Sequence, residues 1–423
     1  MIFLVKLAGF KEVIFLTQKS TMLACEFGIT TQSAVNCLAP LLFVIFKDNF
    51  GISYTMIAAL MLFNFLVQIA TDLTAIKILG IFDYRKSGVL AQSSAAAGLI
   101  FLGILPKFMP IYPALLIATF FMAFGGGLLE VMVSPIVDSL SAHQSSAKMN
   151  MLHSFFCWGQ VAVILTVTTA LKIFGNSIWW ILPILWAIVP ITSIFMFLTV
   201  PIPDIAQKEK AKGEKLPLVS KTFLLMCFLM IMSGASEITM GEWASVFAQK
   251  GLGIDKFSGD ILGPCLFAVL MGSGRVLFGI FGDRVRLKSA LTFYSVLCTL
   301  CYIVAATATN AYVALFACAL TGFSVSIMWP GVYSYSSSII KTGKTAMFGV
   351  LALCGDVGCS LGSWITGSVS DFSLTFPKVL AFADKLGITY EQMGLKIGIA
   401  CASIFPFLMV IALILSKTDS KKA

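Results

Sequence analysis

The chain alternates long apolar runs with short polar ones. Each apolar run is about twenty residues or longer, the length a helix needs to cross a bilayer. Twelve such runs can be placed, at 21–46, 54–76, 88–106, 112–139, 149–173, 178–200, 221–248, 260–280, 290–308, 312–336, 345–371 and 395–416. They are expected to be helices, because lipid offers no hydrogen-bond partner to an open sheet edge. Glycine and proline inside several of them fit this, since neighbouring helices can re-satisfy a freed backbone group. The polar stretch PIPDIAQKEKAKGEKLP, from Pro201 to Pro217, divides the runs six and six. The expected organisation is an all-α integral membrane protein of twelve transmembrane helices in two six-helix bundles, 1–200 and 221–423, with a linker at 201–220. The loop at 372–395 is also long and is expected to carry a small helix of its own.

Composition strengthens this picture. Charged residues make up 12% of the 423 and hydrophobic residues 58%, against about 25% charged in a soluble chain. A soluble enzyme is excluded on that ground. The net charge of +9 is not a nucleic-acid footprint, because the basic residues sit in short loops. With the N-terminus placed inside, 20 Lys and Arg fall on the inner side and 8 on the outer, leaving Arg275 within a span. That bias predicts both termini in the cytoplasm. The 11 cysteines lie inside apolar runs and read as small hydrophobes. His143 and His153 offer no metal cluster, so neither a metal nor another cofactor is expected. No cleavable leader is expected; the first 19 residues, with Lys6, Lys11, Glu12 and Lys19, read as an interfacial helix or an extended start to the first span.

The chemistry must come from polar residues inside the spans. In FFMAFGGGLLEVMVSPIVD, from Phe120 to Asp138, an apolar and glycine-rich run carries Glu130. A carboxylate at such depth faces a protein interior or a wet cavity. Gln32, Asn36 and Pro40 recur every four residues on one face of the first span, and Asn150, His153, Cys157 and Gln160 share a face of the fifth. Such amides can bridge the hydroxyls of a small polar solute or hold helices together. The second half adds Glu237, Glu242 and Trp243 in one span, Trp329 and Tyr333 in MWPGVY, and Asp356 with Ser360 and Trp364 in another. Indoles can stack on the apolar face of a sugar ring. The Pro and Gly beside Trp329 predict a locally broken helix. Glu130, Glu237 and Asp356 are the candidates for ion coupling; Glu26 and Asp138 read as gate or surface residues.

A weak internal repeat places GIFDYRK from Gly80 after the second span and GIFGDR from Gly279 after the eighth. With Asp72, Asp83, Arg85 and Lys86 in the first copy, and Gly272, Gly274, Arg275, Asp283, Arg284 and Lys288 in the second, the pattern resembles the gate motif of the major facilitator superfamily. The resemblance implies transport by alternating access, with Asp72, Asp83, Arg85, Arg275, Asp283 and Arg284 as gate candidates. A narrower resemblance is to the fucose permease-like sugar symporters. It rests on VNCLAP from Val35 to Pro40, on Leu129, Glu130, Ser134 and Pro135, and on Met149, Asn150, His153 and Phe155. That group often carries a protonatable Asp in the first span, where this chain has Asn36. Coupling would then fall to Glu130 or to an acid of the second half.

The expectation is a monomeric secondary transporter of the inner membrane that takes up a sugar or other polyhydroxylated solute, driven by H+ with Na+ as the alternative ion. Gln32, Asn36, Asn150, His153, Gln160, Glu242, Trp243, Trp329, Tyr333 and Trp364 are its solute-contact candidates. Two other readings stay open: a proton-coupled exporter of drugs or metabolites, and a solute-binding membrane receptor that moves nothing.

Overall fold

The computed structural model describes residues 18–52, 54–140, 145–202, 220–248, 252–254, 256–341 and 343–416. The expected interfacial helix before Gln18 and the linker at 203–219 lie outside the described residues. Every regular element described is helical: α1 (Gln18–Phe50), α2 (Tyr54–Ile104), α3 (Ile111–Ser139), α4 (Ser145–Phe174), α5 (Ile181–Trp186), α6 (Ile188–Thr199), α7 (Lys221–Val246), α8 (Lys256–Asp260), α9 (Leu266–Phe281), α10 (Leu287–Thr307), α11 (Ala311–Val325), α12 (Met328–Ile339), α13 (Lys344–Ser373), α14 (Pro377–Leu386), α15 (Tyr390–Ala402) and α16 (Ile404–Leu415). Among the described residues ten helical stretches are long and apolar enough to cross a membrane, and Ala59–Ala75 is a shorter apolar one. Large side chains such as Leu62, Phe195 and Phe316, all more than half exposed, point outward as they would toward lipid. The protein is a multi-pass membrane protein.

Prolines explain several of the breaks. The stretch Ala311–Ile339 is split at Ser326 and Ile327, before Pro330, and Ile181–Thr199 is split at Ala187, between Pro183 and Pro190. A π-helical turn, Ile261–Cys265, holds Pro264 and joins α8 to α9. Within α2 the helix is broken at Asp83, whose φ of 62° and ψ of 167° depart from the helix on both sides. An L-residue held there stores about 1–3 kcal/mol of strain. Its carboxylate offsets part of this by accepting from the Lys86 backbone N–H at 2.9 Å, as a helix cap. The small helix expected in the 372–395 loop is α14.

Small residues set the helix spacing. A Cβ on Gly358 would collide with the Ile231 carbonyl, and one on Gly234 with the Gly355 carbonyl, so α7 and α13 pack backbone to backbone. Helices from the two halves of the chain meet along α4 and α9, α2 and α13, α4 and α12, and α3 and α13. Gly272 of α9 sits against Cys157 and Trp158 of α4 on that seam. One buried core runs through helices of both halves, while a second is confined to residues 34–187. Thr21 donates to the Pro201 carbonyl at 2.7 Å and Lys288 to that of Ser416 at 2.6 Å. Both bonds mark the end of the bundle where the described chain begins and stops, called here the terminal end; the opposite one is the far end.

Candidate functional site

The glycine run Gly125–Gly127 of α3 lets α1 and α2 approach closely. A Cβ on Gly126 would touch Val35 and lie near Gln32 and Gln68; one on Gly127 would touch Thr71. One turn further on, Glu130 is met by an amide of α1, and a second amide pair joins α1 to α2. Gln32 Nε2 donates to Glu130 Oε2 at 2.5 Å, and Gln68 Nε2 donates to Asn36 Oδ1 at 3.2 Å. Asp72, one turn beyond Gln68 on α2, is 2% exposed, and neither of its carboxylate oxygens has a hydrogen-bond partner among the described residues.

The second half closes over this group. Asp356 of α13 is buried with its Oδ2 unpartnered, and the charges of Asp356 and Glu130 both reach Asp72. Tyr333 of α12 is wholly buried and lies within the field of all three acids. Its ring stacks on His153 of α4 at 5.9 Å between centroids, and Trp329 and Phe348 meet it at 6.4 and 5.2 Å. His153 Nε2 stands 3.5 Å from the Ser134 hydroxyl. Asn150, one turn earlier on α4, is buried too. Trp329 is packed against Gly234 and Gly355, which leave room for its indole between α7 and α13.

Glu237 does not belong to that open set of acids. Arg275 of α9 places Nη2 at 2.8 and 2.9 Å from its two carboxylate oxygens, and both side chains are almost fully buried. Glu237, expected as a coupling candidate, and Arg275, expected as a gate candidate, are each other's counter-ion. Arg275 Nε also donates to the Ser326 carbonyl at 2.9 Å, and Nη1 to that of His153 at 2.8 Å. Pro330 has no N–H, so the Ser326 carbonyl four residues earlier has no helical donor and is free to accept. The predicted break at MWPG thus makes an arginine site.

Toward the far end the polar residues become half-exposed. Gln160 of α4 and Cys37 of α1 are in hydrogen-bonding contact, and the charge of Glu242 on α7 reaches Cys37. The Ser363 hydroxyl of α13 donates to Glu242 Oε2. Trp243 is half-buried with Gly367 beside its ring. Trp364 is not part of the site: it is 68% exposed on the outer face of α13. Eight residues at about 100° each carry it some 80° around the helix from Asp356, whereas Ser363, seven residues on, stays on the inner face.

At the terminal end a different set joins the halves. Lys344 Nζ lies 2.5 Å from Asp138 Oδ2 and donates to the Ser337 hydroxyl at 3.1 Å; that hydroxyl donates to Asp138 Oδ1 at 2.7 Å. Asp138 thus joins the halves of the chain, and Lys344 and Ser337 are partners the sequence did not single out. The other gate candidates make different contacts. Arg85 donates to the Phe197, Leu198 and Val200 carbonyls at 3.0, 2.7 and 2.7 Å, closing the C-terminal end of α6. Asp83 pairs with Lys86 on its own helix at 3.6 Å. Asp72 lies in the central acid group. Arg284 is exposed beside Phe281, and the side chain of Asp283 lies outside the described residues.

A helical membrane protein whose two halves meet over buried acids and amides, sealed at one end by an ion pair, has the make-up of a carrier rather than a catalyst. The sequence profile of the Major Facilitator Superfamily matches residues 27–363, and the chain belongs to that superfamily of transporters. In fold it is similar to FucP, a Major Facilitator Superfamily transporter solved in the outward conformation, with a TM-score of 0.70 at 15% identity over 94% of this chain and 99% of that one. A second structure, of the E. coli fucose:proton symporter FucP, gives 0.66 at 14% over 94% and 98%. The proton:xylose symporter XylE, bound to 6-bromo-6-deoxy-D-glucose, gives 0.76 at 13% over 96% and 97%. No curated protein sequence matches the chain.

Proposed function

We propose that this protein is a secondary active transporter that couples inward movement of H+, with Na+ as the second candidate, to uptake of a sugar or other polyhydroxylated solute. Its twelve membrane-spanning helices form two six-helix bundles, 1–200 and 221–423, joined by the 201–220 segment. Both termini face the cytoplasm of a cell whose inner membrane it occupies as a monomer. The excess of Lys and Arg on the terminal side, 20 against 8, supports that orientation. FucP and XylE are both sugar:proton symporters, which supports the solute class and the ion.

The observation that carries this reading is Glu130. It is a carboxyl in the middle of a span, bonded to an amide and to no base among the described residues. Protonation can change its charge without breaking an ion pair. Amides at Gln32, Asn36, Gln68 and Gln160 surround the path from the far end to it. The half-exposed groups there, with Asp138, Ser337 and Lys344 closing the terminal end, match a carrier open toward the far side. Opening inward requires the Lys344 clasp to part. In proteoliposomes, Glu130→Gln is expected to abolish uphill uptake while leaving solute exchange measurable. Normal concentrative uptake by that variant sinks the assignment of coupling to Glu130.

A further inference from the structure

The buried acids of this protein fall into two sets. Glu237 has Arg275 and Asp138 has Lys344. Asp72, Glu130 and Asp356, which are 2%, 7% and 5% exposed, have no basic partner among the described residues. Asp72 and Asp356 are the sharper cases. Three of their four carboxylate oxygens, Asp72 Oδ1 and Oδ2 and Asp356 Oδ2, receive no hydrogen bond. A buried acceptor left so is costly. Tyr333, wholly buried and in the field of all three acids, has Trp329 as the hydrogen-bonding neighbour of its hydroxyl.

Three kinds of cation could answer this set. Protons convert each carboxyl into a donor that still needs an acceptor, so they do not satisfy the oxygens. A single metal ion does not suit either: among the described residues no three His, Cys, Asp or Glu side chains converge to hold one. The charges of Asp356 and Glu130 reach Asp72, whose oxygens no hydrogen bond meets among the described residues. An organic ammonium can answer such a set. It carries up to three N–H donors for three acceptor oxygens. It is attracted by each carboxylate, and it is compatible with the rings of Tyr333 and Trp329 through cation–π contact. The amides of the same path can bond hydroxyls on the remainder of the molecule.

We propose that the site formed by Asp72, Asp356 and Tyr333, beside Glu130, takes a solute bearing a protonated amine: a hydroxylated ammonium of the amino-sugar class. This rests on the transport reading above and narrows its substrate. Asp72 and Asp356 hold the ammonium, one from each half of the chain, so the charged solute itself draws the halves together. Glu130, held by Gln32, is left to the coupling ion.

The test uses the purified full chain and three probes of one ring size: glucosamine, glucose and N-acetylglucosamine, the last two uncharged. Glucosamine is expected to raise the melting temperature and to enter proteoliposomes, with affinity about tenfold or more above either neutral probe. Asp72→Asn and Asp356→Asn are each expected to lose that preference, with ligand-free melting temperatures showing that both variants fold. Uptake of glucose or N-acetylglucosamine equal to or better than glucosamine overturns the proposal and leaves the transport reading standing. A glucosamine preference unchanged in both variants removes these acids as its cause and overturns it too. If none of the three probes binds or moves, both the proposal and the sugar-like solute class fall together.

Discussion

Two charged regions lie in the same interior and are built on opposite plans. Around Arg275 every charge is answered: the guanidinium meets Glu237, and its remaining donors take the carbonyls of Ser326 and His153. Around Asp72 nothing is answered, and Asp356 and Glu130 add charge of the same sign. Both plans are expensive away from water, but they fail differently. A compensated pair is costly to break and otherwise inert. An uncompensated carboxyl is held in place only by the packing around it, so a proton or a ligand can change its state without dismantling the fold. The contrast separates charges fixed by a partner from charges whose state a proton or a ligand can change.

That contrast can be broken by substitution. Arg275→Met strands a buried Glu237 and should cost about 3–5 kcal/mol, read as a large fall in melting temperature or in folded yield. Adding Glu237→Gln to it should recover much of the loss; no recovery would mean that the backbone carbonyls, not the carboxylate, are what Arg275 serves. Lys344→Gln should cost less, roughly 1 kcal/mol, because Lys344 is 31% exposed and Asp138 keeps its bond from Ser337. The same change should move the population toward a terminal-end-open form by about fivefold, seen as longer distances between spin labels placed across that end. Glu130→Gln should change stability by under about 1 kcal/mol, since the new amide still accepts from Gln32, while uphill uptake is lost. Trp364→Ala, at a lipid-facing position, should leave uptake intact and stability within roughly 0.5 kcal/mol. A large effect there would place the solute path on the outer face of α13.

The sequence carried the helices well, because the length of an apolar run and the position of a proline act locally. The break before Trp329, the small helix at Pro377–Leu386 and the inward face of Gln32 and Asn36 were all readable from spacing. The partners were not. Arg275 stands in a glycine-rich stretch that reads as a gate motif, and nothing local says that its helix turns toward Glu237. Asp72 was assigned to the gate by its place in the repeat, yet it lies one turn from Gln68 and faces the acids. Trp364 shares a span with Asp356 at a spacing of eight, which the helical angle carries too far around for one face; Ser363, at seven, is within reach of the same argument. Periodicity says which residues share a face. The direction that face takes in the bundle is set by neighbours such as Gly126 and Gly358, and those contacts are long-range.

One detail of the Arg275 site has a consequence for how freely this seam can vary. At residue 153 Arg275 holds the carbonyl, not the imidazole, while the Cys157 thiol one turn on is its second contact with α4. Any amino acid at residue 153 presents the same oxygen. That bond across α4 and α9 is therefore indifferent to which side chain stands there, and His153 can vary against Tyr333 and Ser134 without removing it.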